Sequence, residues 1–240
     1  MAHDFEIEPG LSVGEWLHDE IVRTLIIERE PWALERVGGA AARLQVGRPE
    51  SEQLVVVIPW VSARTAFTAP GRYIYLTRGL LERLPDDHSA AFVIAHEIAH
   101  HDLGHLQLIP EWIPRFVVAR GGGLAVVAMA GLERRIYGPE RECDADRYAI
   151  DLCIEAGYDA EKCLNFFYIM ELIALDAGDD DIVFGPDPDS DGELLPDAPW
   201  LTKARIWAWQ RTRGYLPLRD RAGAIRAHLA ARGAPVRRPA

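Results

Sequence analysis

The sequence predicts an α+β fold, mostly helical, with a small β-sheet beside one buried helix. Three observations carry this. Apolar residues recur at helical spacing early in the chain (Trp16, Leu17, Ile21, Val22, Leu25, Ile26) and fill a later helix (Leu164, Phe166, Phe167, Ile169, Met170, Leu172, Ile173). Between them, residues 54–58, 66–67 and 73–77 are short β-branched or aromatic runs of strand type. Residues 86–106 make a helix whose body (Ala90, Ala91, Phe92, Val93, Ile94, Ala95, Ile98 and Ala99) is apolar on every side, the pattern of a buried helix.

Taken in order, a first helix is expected over residues 12–30, ended by Pro31, which opens a second over 32–46 before Gly47 and Pro49. The three strands follow, the last two joined by a turn at Pro70-Gly71. Arg78-Gly79-Leu80-Leu81 starts a short helix, and Asp86 or Asp87 caps the buried one. Residues 116–132 are apolar apart from Arg120 and are broken by Gly121, Gly122 and Gly123. A membrane span needs about 20 apolar residues, so this stretch is read as a buried helix, or as a lid or wall pivoting near Pro110, Trp112 and Pro114. A helix over 140–155 ends at Gly157, and Asp159 caps the next. Residues 176–199 form an acidic loop, and two amphipathic helices follow near 200–212 and 218–231. With no repeat and no linker, the reading is a single domain over 1–240. Its parts are N-terminal helices (1–50), the sheet and its two polar-bearing helices (51–157), and C-terminal helices (158–240).

The 240 residues are 49% hydrophobic and 26% charged, the balance of an ordinary globular protein, and long enough for a sizeable core. A net charge of −11 argues against nucleic acid and against anionic membrane surfaces as partners. Cys143, Cys153 and Cys163 form no C-x-x-C clip, and residues 1–10 are acidic without an apolar run, so a cytoplasmic protein with reduced thiols is expected. The oligomeric state is not legible.

Within the buried helix stands His96-Glu97-Ile98-Ala99-His100. Positions four apart share a helix face, so the two imidazoles can bind one metal ion, with Glu97 beside it to deprotonate an activated water. His101 lies about 100° round from His100 and should miss the same ion. A third histidine ligand at position 106, with glycine at 103, is ruled out by Leu106 and Leu103. No histidine follows until 228 once His105 is passed, so a carboxylate must complete the site. The best candidates are Glu142 and Asp146, one turn apart on the 140–155 helix. Taken alone, the pair is better read as an exposed face pairing with Arg141 and Arg147, or as a cap.

Four stretches together resemble the HtpX and CAAX-prenyl-endopeptidase-like zinc metallopeptidases, which are gluzincins. Ala66-Phe67-Thr68-Ala69-Pro70-Gly71 with Tyr73-Ile74-Tyr75 is similar to their N-A-F-x-x-P-G-x-x-I strand pair, and Gly79-Leu80-Leu81 to their G-L-L turn. His96 to His100 with His105 resembles H-E-x-x-H-x-x-x-x-H, and Glu142-Cys143-Asp144-Ala145-Asp146 resembles E-x-x-A-D. The resemblance implies a zincin-like metallopeptidase domain in a soluble member. It implies Zn2+ held by His96, His100 and Glu142, with Glu97 as general base and Asp146 steadying a histidine ligand. One feature departs: the family's histidine-proline pair, which steadies the oxyanion, is matched by Asp197-Ala198-Pro199-Trp200 ahead of Arg205. Either Tyr137, Tyr148, Tyr158 or Tyr168 supplies the donor, or turnover is poor.

The expected function is zinc-dependent endopeptidase action on peptides or unfolded proteins, through a metal-activated water. The alternatives are a zinc-binding protein that grips peptides with little or no cleavage, and an interaction module whose histidines are core residues. Tyr73, Ile74 and Tyr75 are expected on an edge strand that receives extended substrate by backbone pairing. The run from Asp187 to Glu193 has the carboxylate spacing that starts a calcium loop, but Ala198 stands where the bidentate glutamate belongs, so a solvated acidic loop is expected.

Overall fold

Helix α1 (Val13–Thr24) begins at a capping box, in which Ser12 Oγ accepts from Glu15 N and the Glu15 carboxylate accepts from Ser12 N. The computed structural model describes residues 12–108, 122–176 and 218–233. α1 buries Trp16, Leu17 and Ile21, but it stops well short of the expected residue 30. Leu25 is extended (φ −115°, ψ 150°), and Ile27 makes an antiparallel bridge with Pro59. The cause is Glu28. Its buried carboxylate accepts from the backbone N–H groups of Arg29 and Glu30 and from Arg78, which holds this backbone out of the helix. Ile26, which continues the helical apolar spacing, is 68% exposed.

Helix α2 (Pro31–Leu44) starts with proline in its first turn and buries Ala33, Val37, Ala40 and Leu44. Three strands follow: β1 (Val55–Val57), β2 (Ala66–Ala69) and β3 (Tyr73–Leu76). The β2–β3 hairpin is antiparallel, Ala66 opposite Leu76 and Ala69 opposite Tyr73, and its turn uses Gly71 at φ +97°. β1 returns parallel to β3, pairing Val55 with Tyr73 and Val57 with Tyr75, so the sheet order is β1–β3–β2. This overturns one expectation. Tyr73, Ile74 and Tyr75 lie on the central strand, both of whose edges are already taken, and substrate cannot add there. The sequence gives no local sign of the parallel pairing, which joins segments about 18 residues apart through contacts such as Val55 N to Arg72 O, 2.7 Å.

Helix α3 (Arg78–Leu81) is capped by Thr77, whose hydroxyl donates to the Ala63 or Thr65 carbonyl. Glycine is required at 79, since a Cβ there would sit 2.3 Å from the Ser62 carbonyl oxygen. Helix α4 (Asp87–Asp102) starts where Asp86 Oδ1 accepts from Ser89 N at 2.8 Å. Arg36 of α2 pins this start, donating to the carbonyls of Leu81, Leu84 and Asp86 and to the Asp87 carboxylate. As its composition requires, α4 is buried on every side, between α2, β2, β3 and two later helices.

Those are α5 (Gly122–Glu155) and α6 (Ala160–Asp176), with α7 (Leu218–Ala231) packed on both. The helix expected over 140–155 is the second limb of α5, which bends at Gly138 (φ 72°, ψ 171°) just before Pro139. Gly157, at φ +81°, ends that limb, and Asp159 Oδ1 accepts from Lys162 N at the start of α6. Residues 109–121, the acidic loop with its calcium-like run, the 197–206 stretch and the 200–212 helix lie outside the described residues. No helix among those described is long and apolar enough to cross a membrane. The main core joins α2, the sheet, α3 and α4 to α5, α6 and α7. A smaller cluster of Leu17, Ile21, Val57, Phe67, Ala69, Tyr75 and Tyr137 lies under α1.

Candidate active site

α4 and the second limb of α5 cross at the centre of the fold, and their polar residues meet there. His96 Nε2 and His100 Nε2 are 3.0 Å apart, as the i, i+4 spacing dictates. Glu142 faces both, its two oxygens 3.6 Å from His96 Nε2 and 3.5 Å from His100 Nε2. Ligand atoms of His96, His100 and Glu142 therefore all lie within 4.8 Å of one another. Asp146, one turn on from Glu142, places Oδ1 3.0 Å from His96 Nδ1, at contact distance but off the line of a well-formed hydrogen bond. The reading of this pair as an exposed face with Arg141 and Arg147 does not hold. Glu142 and Asp146 are buried, Arg141 donates to the Tyr137 carbonyl, and Arg147 pairs with Asp144.

The carboxylates have another partner. Arg221 of α7 donates to both oxygens of Asp146, at 2.7 and 2.8 Å, and stands 3.2 Å from Glu142. Burial alone would raise both carboxyl pKa values, but the guanidinium and then His96 outweigh it, lowering Asp146 and holding Glu142 well below the usual range. Burial likewise opposes charge on His96, yet Asp146 and Glu142 prevail and raise its pKa to about 9. His100 goes the other way, lowered to about 3 by burial and then by the positive charge on His96.

This donor set fits zinc. Ligand atoms about 2.0–2.2 Å from a tetrahedral ion lie roughly 3.3–3.6 Å apart; His96 Nε2 and His100 Nε2 stand 3.6 and 3.5 Å from Glu142 Oε2 and Oε1 respectively, and the imidazole pair, at 3.0 Å, would have to open slightly. Two imidazoles and a carboxylate are also the ligand types of catalytic zinc centres.

Glu97, next along α4 from His96, is buried at 7% exposure. His101 points elsewhere, its Nε2 2.6 Å from the Gly71 carbonyl, as its position round the helix requires. Of the four tyrosines, only Tyr137 is beside the site, its ring stacked on His100 with centroids 4.3 Å apart. Tyr148 donates to Asp102, Tyr158 packs on Arg43 and His88, and Tyr168 is exposed. Sequence reasoning missed Arg221. The available signal was its place on the apolar stripe of α7, one turn before Ile225 and two before Leu229, where a charge needs a buried partner. It also left His105 without a role, although His105 Nδ1 lies 2.9 Å from His100 Nδ1.

No curated protein matches the chain. The model of peptidase family M48, however, matches residues 28–212, a span that takes in α2, the sheet, α4 and α5 with every residue of this cluster except Arg221. The chain belongs to peptidase family M48, and is thereby a metallopeptidase.

Proposed function

We propose that the chain is a zinc-dependent endopeptidase acting on peptides or unfolded proteins, with His96, His100 and Glu142 as zinc ligands and Glu97 as general base. The observation that carries the reading is the convergence of two imidazole nitrogens and one carboxylate within 4.8 Å in a buried setting. Zinc held there would supply Lewis acidity, polarising the scissile carbonyl and making water more acidic. Glu97 takes the proton from the attacking water and passes it to the leaving amine, so that one carboxylate serves as base and then as acid. Asp146 and Arg221 keep His96 and Glu142 in place and offset their charge. Placement near the HtpX and CAAX-prenyl-endopeptidase-like members, and in the cytoplasm, belongs to the same proposal. It rests on the motif spacing and on the composition.

A casein-type cleavage assay on wild type and Glu97→Gln, both zinc-loaded, tests it. Glutamine keeps the shape but cannot take the proton, so zinc content and fold should persist while cleavage falls by about 10²–10⁴-fold. Near wild-type cleavage by the variant would remove Glu97 from the mechanism. A second reading, a zinc-binding protein that grips peptides with little turnover, is favoured by the lack of histidine in the 197–206 stretch. Under that reading the zinc-loaded wild type cleaves no faster than Glu97→Gln.

A further inference from the structure

We propose that His105 is the positioning residue that sets the tautomer and orientation of His100, so that His100 presents an unprotonated Nε2 to the zinc site. The inference rests on the zinc-binding reading above. The two rings meet nitrogen to nitrogen, with His105 Nδ1 2.9 Å from His100 Nδ1. A hydrogen bond between two imidazole nitrogens needs one donor and one acceptor. With Nε2 of His100 as ligand atom, its proton lies on Nδ1. His105 Nδ1 therefore accepts, and the proton of His105 lies on its own Nε2. His105 is built for this. Gly104, at φ +72°, turns the chain back directly after α4 and starts the 3₁₀ turn His105–Leu108, which lays the imidazole against the last turn of the helix. Tyr137 stacks on His100 at 4.3 Å and lies 5.6 Å from the His105 ring, so both rings are held by packing. His105 also lines an open groove of about 500 Å³ with Tyr148, Asp151 and His228.

A metal-ligating imidazole usually gives its second N–H to a carboxylate, a carbonyl or water. Beside His96 that place is taken by the Asp146 carboxylate, with Oδ1 3.0 Å from Nδ1. A histidine acceptor at His100 fixes the ring equally well but adds no negative charge, in a pocket that already holds two carboxylates. His100 is then a neutral imidazole ligand beside a neutral ring, whereas His96 stands against the Asp146 carboxylate.

The test compares full-length wild type with His105→Phe, His105→Asn and His100→Ala. Phenylalanine keeps a ring against Tyr137 without an acceptor, while asparagine places Oδ1 close to where Nδ1 lies. The zinc dissociation constant is read by chelator competition, ligand geometry by the visible spectrum of the cobalt-substituted protein, and folding by melting of the metal-free forms. The expected result is zinc binding about 10-fold weaker in His105→Phe, with an altered cobalt spectrum, and recovery toward wild type in His105→Asn. Should His105→Phe not fold, the 15N spectrum of histidine-labelled wild type decides, with His105 Nδ1 unprotonated in the zinc form. Zinc binding that His100→Ala abolishes but His105→Phe leaves unchanged, or a protonated His105 Nδ1, overturns the positioning role alone. No zinc binding by wild type overturns the zinc reading, and this role with it.

Discussion

His96 and His100 stand four residues apart on one helix and face one point, yet they are held by opposite means. Behind His96 stands a chain of charge: Asp146 at 3.0 Å, then Arg221 clamped on both Asp146 oxygens and reaching Glu142. Behind His100 stands a neutral ring, His105, with Tyr137 stacked alongside. The same contrast divides their titration, His96 raised to about 9 and His100 lowered to about 3. A buried metal centre needs both kinds of support. Charge on one side makes the pocket attractive to a cation, and packing on the other orients a ligand without piling up carboxylates whose burial is costly.

The largest effect should come from cutting the charged side. Arg221→Met leaves two buried carboxylates without their cation, which typically costs about 3–5 kcal/mol. For a chain of this size the melting temperature should drop by roughly 6–20 °C. Arg221→Lys, a point charge that cannot fork across two oxygens, should fall between. Thermal melts of the metal-free proteins check both, and a loss under 1 kcal/mol in Arg221→Met would break the contrast.

Next comes Asp146→Asn, which keeps an acceptor near His96 but removes the charge. It should weaken zinc about 100-fold, against about 10-fold for the neutral side in His105→Phe. Equal losses, measured by chelator competition, would show that the two supports do the same job.

The smallest effect asks whether the charged side differs from any other buried acid with an arginine. Glu28, remote from the site, accepts from the Glu30 and Arg29 amides and from Arg78, and these hold its pKa below the usual value despite burial. A depressed folded-state pKa stabilises fully above the unfolded value of about 4.3 and loses that contribution as pH falls through the folded value. Glu28→Gln should therefore lower Tm by about 2–4 °C at pH 7, with the difference from wild type shrinking below about pH 4 and zinc affinity unchanged throughout. A Tm difference that persists undiminished into acid would show that packing, not charge, is what Glu28 contributes.

What could be read from the sequence was what is local. The apolar body of α4, its Asp86 cap and the i, i+4 histidines share one stretch, and Glu142 with Asp146 mark one face of one helix. The β2–β3 hairpin announced itself through Pro70-Gly71. What escaped depends on distant partners. β1 turned the supposed edge strand into the centre of the sheet, and Glu28 with Arg78 ended α1 six residues early although the apolar spacing ran on through Ile26. Arg221 reaches Asp146 across 75 positions of sequence, and no motif spans that distance. Gly122 and Gly123 are the first two residues of α5, and the bend within that helix falls at Gly138, which the sequence pattern did not mark.

The central claim is that His96, His100 and Glu142 form one zinc site, and metal content combined with melting tests it most directly. Purified wild type should carry one zinc per chain and lose it to a chelator with a clear fall in Tm, because an ion bound to the folded state stabilises that state. His100→Ala should carry none, and its Tm should not respond to chelator. Wild-type protein with no zinc, and with the same Tm whether or not chelator is present, would contradict the account.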